Sequence, residues 1–195
     1  MNCANCKEKA CSKGKDCTDI AADAKAAYKG EALKLLKVAS SIESRYYMKK
    51  TRIEELILYA KGMGYKKLGI AFCIGLQREA EVISAVLSQH FTVSSVCCKV
   101  CGIDKSYFEL ERLHKLNGDN GADTEVEAMC NPIAQAKQLN KEETDLNIIL
   151  GLCIGHDILF TQYSDAPVTT LAVKDRVLAH NPLGAIYSGY HLKRL

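Results

Sequence analysis

The hydrophobic positions change period along the chain, and the changes mark its elements. From Thr18 to about Met48, Tyr28, Ala32, Leu35, Leu36, Ala39 and Ile42 recur every three or four residues, which is the spacing of one helix face. Gly30 weakens the middle of that stretch. A second helix is predicted from Thr51, where Thr51 and Glu54 form a T-x-x-E capping box. Ile53, Leu56, Ile57 and Ala60 form its buried stripe, and Gly62 and Gly64 stop it. The pattern then shortens to strand-like runs. Lys67 to Cys73 is a short apolar run, Ile74-Gly75 a turn, Leu76 to about His90 a helix and Thr92 to Cys98 a second strand.

The same unit returns. Leu146 to Cys153 is followed by Ile154-Gly155, a helix to about Tyr163 and a strand from Val168 to Lys174. Cys73-Ile74-Gly75 aligns with Cys153-Ile154-Gly155, and Val93 to Lys99 with Val168 to Lys174. Each copy is followed by an Asn-Pro suited to open a helix, Asn131-Pro132 and Asn181-Pro182. The predicted fold is therefore α/β: a Rossmann-like parallel sheet made of two duplicated βαβ halves, preceded by two helices. The internal repeats span about 66–139 and 146–192, with an irregular insertion at about 101–128 in the first.

Residues 1–17 stand apart. They are rich in Cys, Lys and Gly and carry too little apolar surface to bury a core, so the expected division is a knuckle over 1–17 and a single α/β domain over 18–195. The knuckle reads Cys3-x2-Cys6-x4-Cys11-x5-Cys17, four thiols in a segment that metal is expected to order. Lys7, Lys9, Lys13 and Lys15 favour thiolate and offset the charge of a four-thiolate site. The spacing suits a cubane iron–sulfur (4Fe–4S) cluster or zinc.

Composition narrows the classes. Apolar residues are 48% of the chain, enough for a core, yet no apolar run reaches the roughly 18 residues of a membrane span. No secretory signal is expected from the N-terminus. A net charge of +3, scattered rather than striped, argues against nucleic acid as the main partner. Ten cysteines in a chain of this helical character point to a reducing cytoplasm, where thiols bind metal or do redox chemistry.

A second thiol constellation follows from the duplication. Ligands of open parallel sheets bind beyond the carboxyl ends of the strands, where Cys73 and Cys153 are expected, just ahead of helix starts. Cys97 and Cys98 end the next strand, and alternation allows only one to face the crevice. Cys101 follows in the loop. Cys130 and His180 precede the two Asn-Pro pairs, and His156 opens the helix after Cys153. The expected site is Cys73, Cys98, Cys130 and Cys153 as ligands or reactive thiols, with His156 as proton carrier and Lys99 or Lys174 adding charge. Each cysteine taken singly also fits a small buried hydrophobe. G-x-G-x-x-G, P-loop and G-x-S-x-G signatures are all absent.

Leu68 to Gly75, Ser95 to Lys99, Cys130 to Ala136, Gly151 to Asp157 and Ala166 to Arg176 resemble the corresponding stretches of the DUF1847 family, a cysteine-rich family of anaerobic bacteria and archaea. The resemblance covers nearly the whole chain. It implies metal binding and an anaerobe's cytoplasm, and it implies no reaction. Two functions stand at this level. One is an iron–sulfur or thiolate-metal enzyme doing redox or sulfur chemistry in the crevice, with a small molecule or redox protein as partner. The other is a non-catalytic module with a structural zinc site that binds a partner or ligand.

Overall fold

The computed structural model of the chain describes residues 1–113 and 126–195. The chain divides into two compact units, Met1–Lys49 and Lys50–Leu195. The boundary expected after residue 17 falls inside the first.

In the first unit, 3-10 turns at Cys3–Asn5 and Ala10–Lys13 precede α1 (Ala21–Ala27) and α2 (Gly30–Tyr46). The single helix expected from Thr18 is thus two. Lys29 is extended (φ −139°, ψ 162°) and Gly30 takes φ +54°, a left-handed value that glycine adopts without a Cβ clash. On α2 the half-buried apolar residues are Leu33, Leu35, Val38 and Ile42, whereas Leu36 and Ala39 are exposed. The break re-phases the helix relative to Tyr28, so a stripe counted through it keeps the half-buried Leu35 and Ile42 but also takes in the exposed Ala32, Leu36 and Ala39.

The second unit opens with α3 (Arg52–Met63), which has the expected capping box. The Glu54 amide donates to Thr51 Oγ1 and the Thr51 amide to Glu54 Oε2 at 2.8 Å. The Lys50 ammonium and the Thr51 donors hold the Glu54 carboxyl down at about 2. Then follow β1 (Lys67–Phe72), a 3-10 turn at Ile74–Leu76, α4 (Gln77–Ser88), β2 (Thr92–Cys97), α5 (Pro132–Lys141), β3 (Leu146–Leu152), α6 (His156–Tyr163) and β4 (Val168–Val173). Two four-residue helices, α7 (Gly184–Tyr187) and α8 (Gly189–Leu192), end the chain. Among the described residues no helix is long and apolar enough to cross a membrane.

The sheet has the order β2-β1-β3-β4 and is parallel throughout. The topology explains the layers. Crossovers between parallel strands are right-handed. The first βαβ unit runs outward from β1 to β2 and the second runs outward the other way, from β3 to β4, so their helices must cover opposite faces. Leu68 and Ile70 of β1 and Leu146, Ile148 and Leu150 of β3 pack with Leu56 and Ala60 of α3 and with Ala80, Ile83 and Leu87 of α4. Ala71, Ile149 and Leu152 pack on the other face with Ala136 and Leu139 of α5 and Phe160 of α6. All seven residues of β3 are buried, as a central strand of a two-sided sheet requires. A doubly wound sheet of this order has its switch point between β1 and β3, where the chain leaves adjacent strands toward opposite faces and opens a crevice at their carboxyl ends.

The two Asn-Pro pairs behave differently. Asn131 caps α5, its Oδ1 accepting the Ala134 amide at 3.0 Å, with Pro132 in the first turn. Asn181-Pro182 lies in a turn, and the nearest helix, α7, begins only at Gly184. The first pair starts a crossover that returns to the sheet at β3. The second is followed only by the four-residue α7 and α8 among the described residues. The insertion expected at about 101–128 lies partly outside the described residues. Its described ends are joined by an antiparallel bridge between Asp104 and Ala128.

Candidate functional site

Strand ends and loop returns build the crevice. β1 ends into Cys73, whose amide donates to Leu150 O and whose carbonyl accepts the Leu76 amide at 2.8 Å. β3 ends into Cys153, whose carbonyl accepts the amides of His156 and Asp157 at 3.0 and 3.1 Å. The two Cys-Ile-Gly turns therefore close alike, on adjacent central strands. β2 ends into Cys98, whose amide donates to Phe72 O.

Cys130 arrives from the returning end of the insertion. The Met129 amide donates to Ile103 O and the Asn131 amide to Cys98 O, each at 2.8 Å. Lys99 Nζ donates to Ala128 O at 2.7 Å. These bonds lay residues 128–131 alongside 98–103 and bring the sulfurs of Cys98 and Cys130 to 3.9 Å. Cys98 is buried and its sulfur accepts the Ile74 amide at 3.3 Å, while Cys130 is half-buried. Of the two cysteines ending β2, Cys98 is the one that meets the crevice. Cys97 is half-buried, and Cys101 is exposed with φ +71°.

The electrostatics of the pair are asymmetric. A hydrogen bond from Cys98, the His156 imidazole and the Lys99 ammonium hold the Cys130 thiol down at about 4, against the burial that would raise it. Cys98 is pushed well above the ordinary thiol range, chiefly by the proton it shares with Cys130 and by burial. The two thiols titrate as a pair, with the direction of the shifts favouring thiolate on Cys130, the sulfur that also meets His156 and Lys99.

Charge completes the rim. Arg176, beyond β4, donates from its guanidinium to Cys153 Sγ at 3.2 Å, and that sulfur, with Cys73 and Cys130, raises the arginine's proton affinity. Its loop is fixed by Asp175, whose carboxylate accepts the amides of Val177 and Leu178. His180, expected only as the counterpart of Cys130, accepts the Asp175 amide on Nδ1 and so belongs to this loop. Lys174 Nζ lies against Gly75: a Cβ there would come within 3.0 Å of Nζ and 4.0 Å of Cys73 Sγ.

Of the expected residues, Cys98, Cys130 and His156 are brought together, while Cys73 and Cys153 follow the ends of the adjacent central strands β1 and β3. Sequence reasoning missed Arg176 and Gln135. Arg176 is marked only by standing two residues past the strand-end Lys174. Gln135 is fully buried on α5 and donates from Nε2 to Phe72 O (3.1 Å) and Val96 O (2.7 Å), clasping the ends of β1 and β2 beneath the thiols. Its Oε1 has no partner among the described residues. A glutamine one turn into a capped helix gives no sequence signal for that role.

The N-terminal cysteines are all exposed. The Cys6 amide donates to Cys3 O at 3.2 Å, and the Lys9 amide, in a left-handed turn, points at Cys6 Sγ at 3.4 Å. Cys11 lies in the second 3-10 turn, and Cys17 Sγ donates to Lys15 O at 3.8 Å. Cys3 and Cys11 thus lie in the two 3-10 turns, while Cys6 and Cys17 lie outside them. Among the described residues no three His, Cys, Asp or Glu side chains stand in metal-holding geometry.

Comparison with known proteins adds lineage. Residues 11–171 match the model of a family described as a protein of unknown function, DUF1847. An uncharacterised protein of Methanocaldococcus jannaschii is 57% identical over 197 aligned positions, covering 100% of this chain and 98% of that protein. No solved structure matches the chain.

Proposed function

We propose that this chain, which belongs to the DUF1847 family, carries a dithiol site for redox or sulfur chemistry in the cysteine-lined crevice, together with a metal centre, iron–sulfur or zinc, on Cys3, Cys6, Cys11 and Cys17. The observation that carries the reading is the Cys98–Cys130 pair, with sulfurs 3.9 Å apart, and the His156 imidazole and Lys99 ammonium beside Cys130 favour thiolate there. A thiolate is the nucleophile of disulfide exchange, and a neighbouring thiol is what resolves the mixed disulfide it forms. Forming that disulfide requires the sulfurs to close from 3.9 Å to roughly 2.05 Å. Cys130 is the attacking sulfur, Cys98 the resolving one and His156 the proton carrier, with Cys73 and Cys153 lining the same rim.

The N-terminal centre is supported by donor chemistry: four thiols in a lysine-rich segment without a core of its own. Iron–sulfur there would supply single-electron transfer, and zinc would supply order to the turns.

Thiol counting under anaerobic conditions tests the dithiol. Mild oxidation of the full chain should remove two titratable thiols, and peptide mapping should find Cys98 linked to Cys130. Both thiols surviving oxidation unlinked would favour the non-catalytic module instead.

A further inference from the structure

Arg176, Lys174 and Lys99 surround the crevice sulfurs, and among the described residues none of the three forms an ion pair with a carboxylate. Two acidic side chains adjoining Arg176 and His156 in the chain accept backbone amides. Asp175 is held by the amides of Val177 and Leu178, and Asp157 accepts the Ile158 amide at 2.8 Å. Lys99 is spent on the Ala128 carbonyl and on Cys130. Among the described residues, Arg176 and Lys174 are rim cations that no carboxylate pairs. Arg176 is exposed, with its guanidinium on Cys153, and Lys174 reaches the same rim over Gly75. Stabilising one thiolate does not require so many cations, and unpaired charge beside a reactive sulfur is the arrangement that recognises an anion.

Building on the dithiol reading, we infer that the crevice takes a small disulfide carrying carboxylate or sulfonate groups, with its charge against Arg176 and Lys174 and its sulfur against Cys130. The chemistry balances within the site. The Cys130 thiolate attacks one sulfur of the substrate, the substrate S–S bond breaks, and one half leaves as thiolate. Cys98 then gives up its proton to that leaving thiolate and attacks Cys130 Sγ, releasing the second half as thiolate. The substrate gains two electrons and the pair becomes a Cys98–Cys130 disulfide, which an external thiol reductant resets.

The test uses the full chain, purified and reduced anaerobically, with two probes: the dianionic disulfide dithiobis-nitrobenzoate and the neutral disulfide dithiodipyridine. Modification of the peptide bearing Cys130 is followed by mass spectrometry, because exposed thiols also react. Rates are normalised to those of mercaptoethanol, a small neutral thiol. The anionic probe should be favoured at Cys130 by roughly tenfold or more. Added salt should erode that preference, and Arg176→Gln with Lys174→Gln should bring the normalised rate of the anionic probe down to that of the neutral one in the same variant. The salt titration needs no variant, so a misfolded double mutant does not decide the matter. Equal normalised rates for the two probes, insensitive to salt, would overturn the anionic substrate and leave the dithiol standing. Failure of Cys130 to react faster than mercaptoethanol with either probe would overturn both.

Discussion

Cys98 and Cys130 are 32 residues apart in the chain, yet their sulfurs lie 3.9 Å apart because the Asn131 amide is bonded to the Cys98 carbonyl. The contact therefore depends on the backbone of the returning insertion as much as on the cysteines. The next residue on that return caps α5, so the helix start and the sulfur position are fixed together.

Alkylation of Cys130 should persist in acid. With its thiol held down to about 4 by Cys98, His156 and Lys99, Cys130 should stay largely thiolate through the neutral range, whereas an ordinary thiol near 8.5 loses reactivity about tenfold for each unit below it. Iodoacetamide labelling of the Cys130 peptide should change little between about pH 8 and about pH 6, while that of mercaptoethanol, a small free thiol, slows steeply. Cys98→Ala removes the shared hydrogen bond and should move the Cys130 profile upward. A Cys130 profile parallel to that of mercaptoethanol would refute the assignment.

Removal of residues 1–17 should strip the chain of its metal. Metal analysis after anaerobic purification is the measurement, and a visible absorption band in the intact chain would identify iron–sulfur rather than zinc. Unchanged metal content in the shortened chain would sink the N-terminal centre.

Gly151→Ala should destabilise the second unit by about 1–3 kcal/mol. Gly151 sits at φ +71° in an irregular stretch of the β3–β4 ladder, and a Cβ there would overlap the buried Leu76 side chain. Leu76 follows the first Cys-Ile-Gly turn, so the overlap should also displace Cys73. Denaturant melts of the variant against wild type measure the first effect, and a stability loss below about 0.5 kcal/mol would contradict the close packing.

Gln135→Leu should cost about 1–3 kcal/mol, because two buried strand-end carbonyls lose a donor and the volume is nearly kept. The same change should slow formation of the Cys98–Cys130 disulfide, since Val96 and Phe72 anchor the turns that carry Cys98 and Cys73. A variant of wild-type stability would show that the Nε2 bonds contribute nothing net.

Period and punctuation made most elements of the second unit legible. The α3 capping box, the alternation of the two βαβ copies and the Asn131-Pro132 helix start are local signals. Each depends on side chains within a few residues, and each is found where the pattern put it. The break at Lys29–Gly30 was not legible, because a glycine inside a helical period is compatible with either a weakened helix or a left-handed stop. Neither was the fate of Asn181-Pro182, since a helix start needs something for the helix to pack against.

For the site, the sequence by itself determined that Cys73 and Cys153 would share one end of the sheet, because a duplicated parallel unit sends matching residues to matching strand ends. Tertiary structure alone decided that Cys98 rather than Cys97 meets Cys130, since that choice depends on one residue of register at the end of an edge strand. It alone brought Arg176 to Cys153, His156 to Cys130 and Gln135 beneath both. Those contacts join segments that no local period relates, and only the closing of the β4 loop and the return of the insertion bring them within reach.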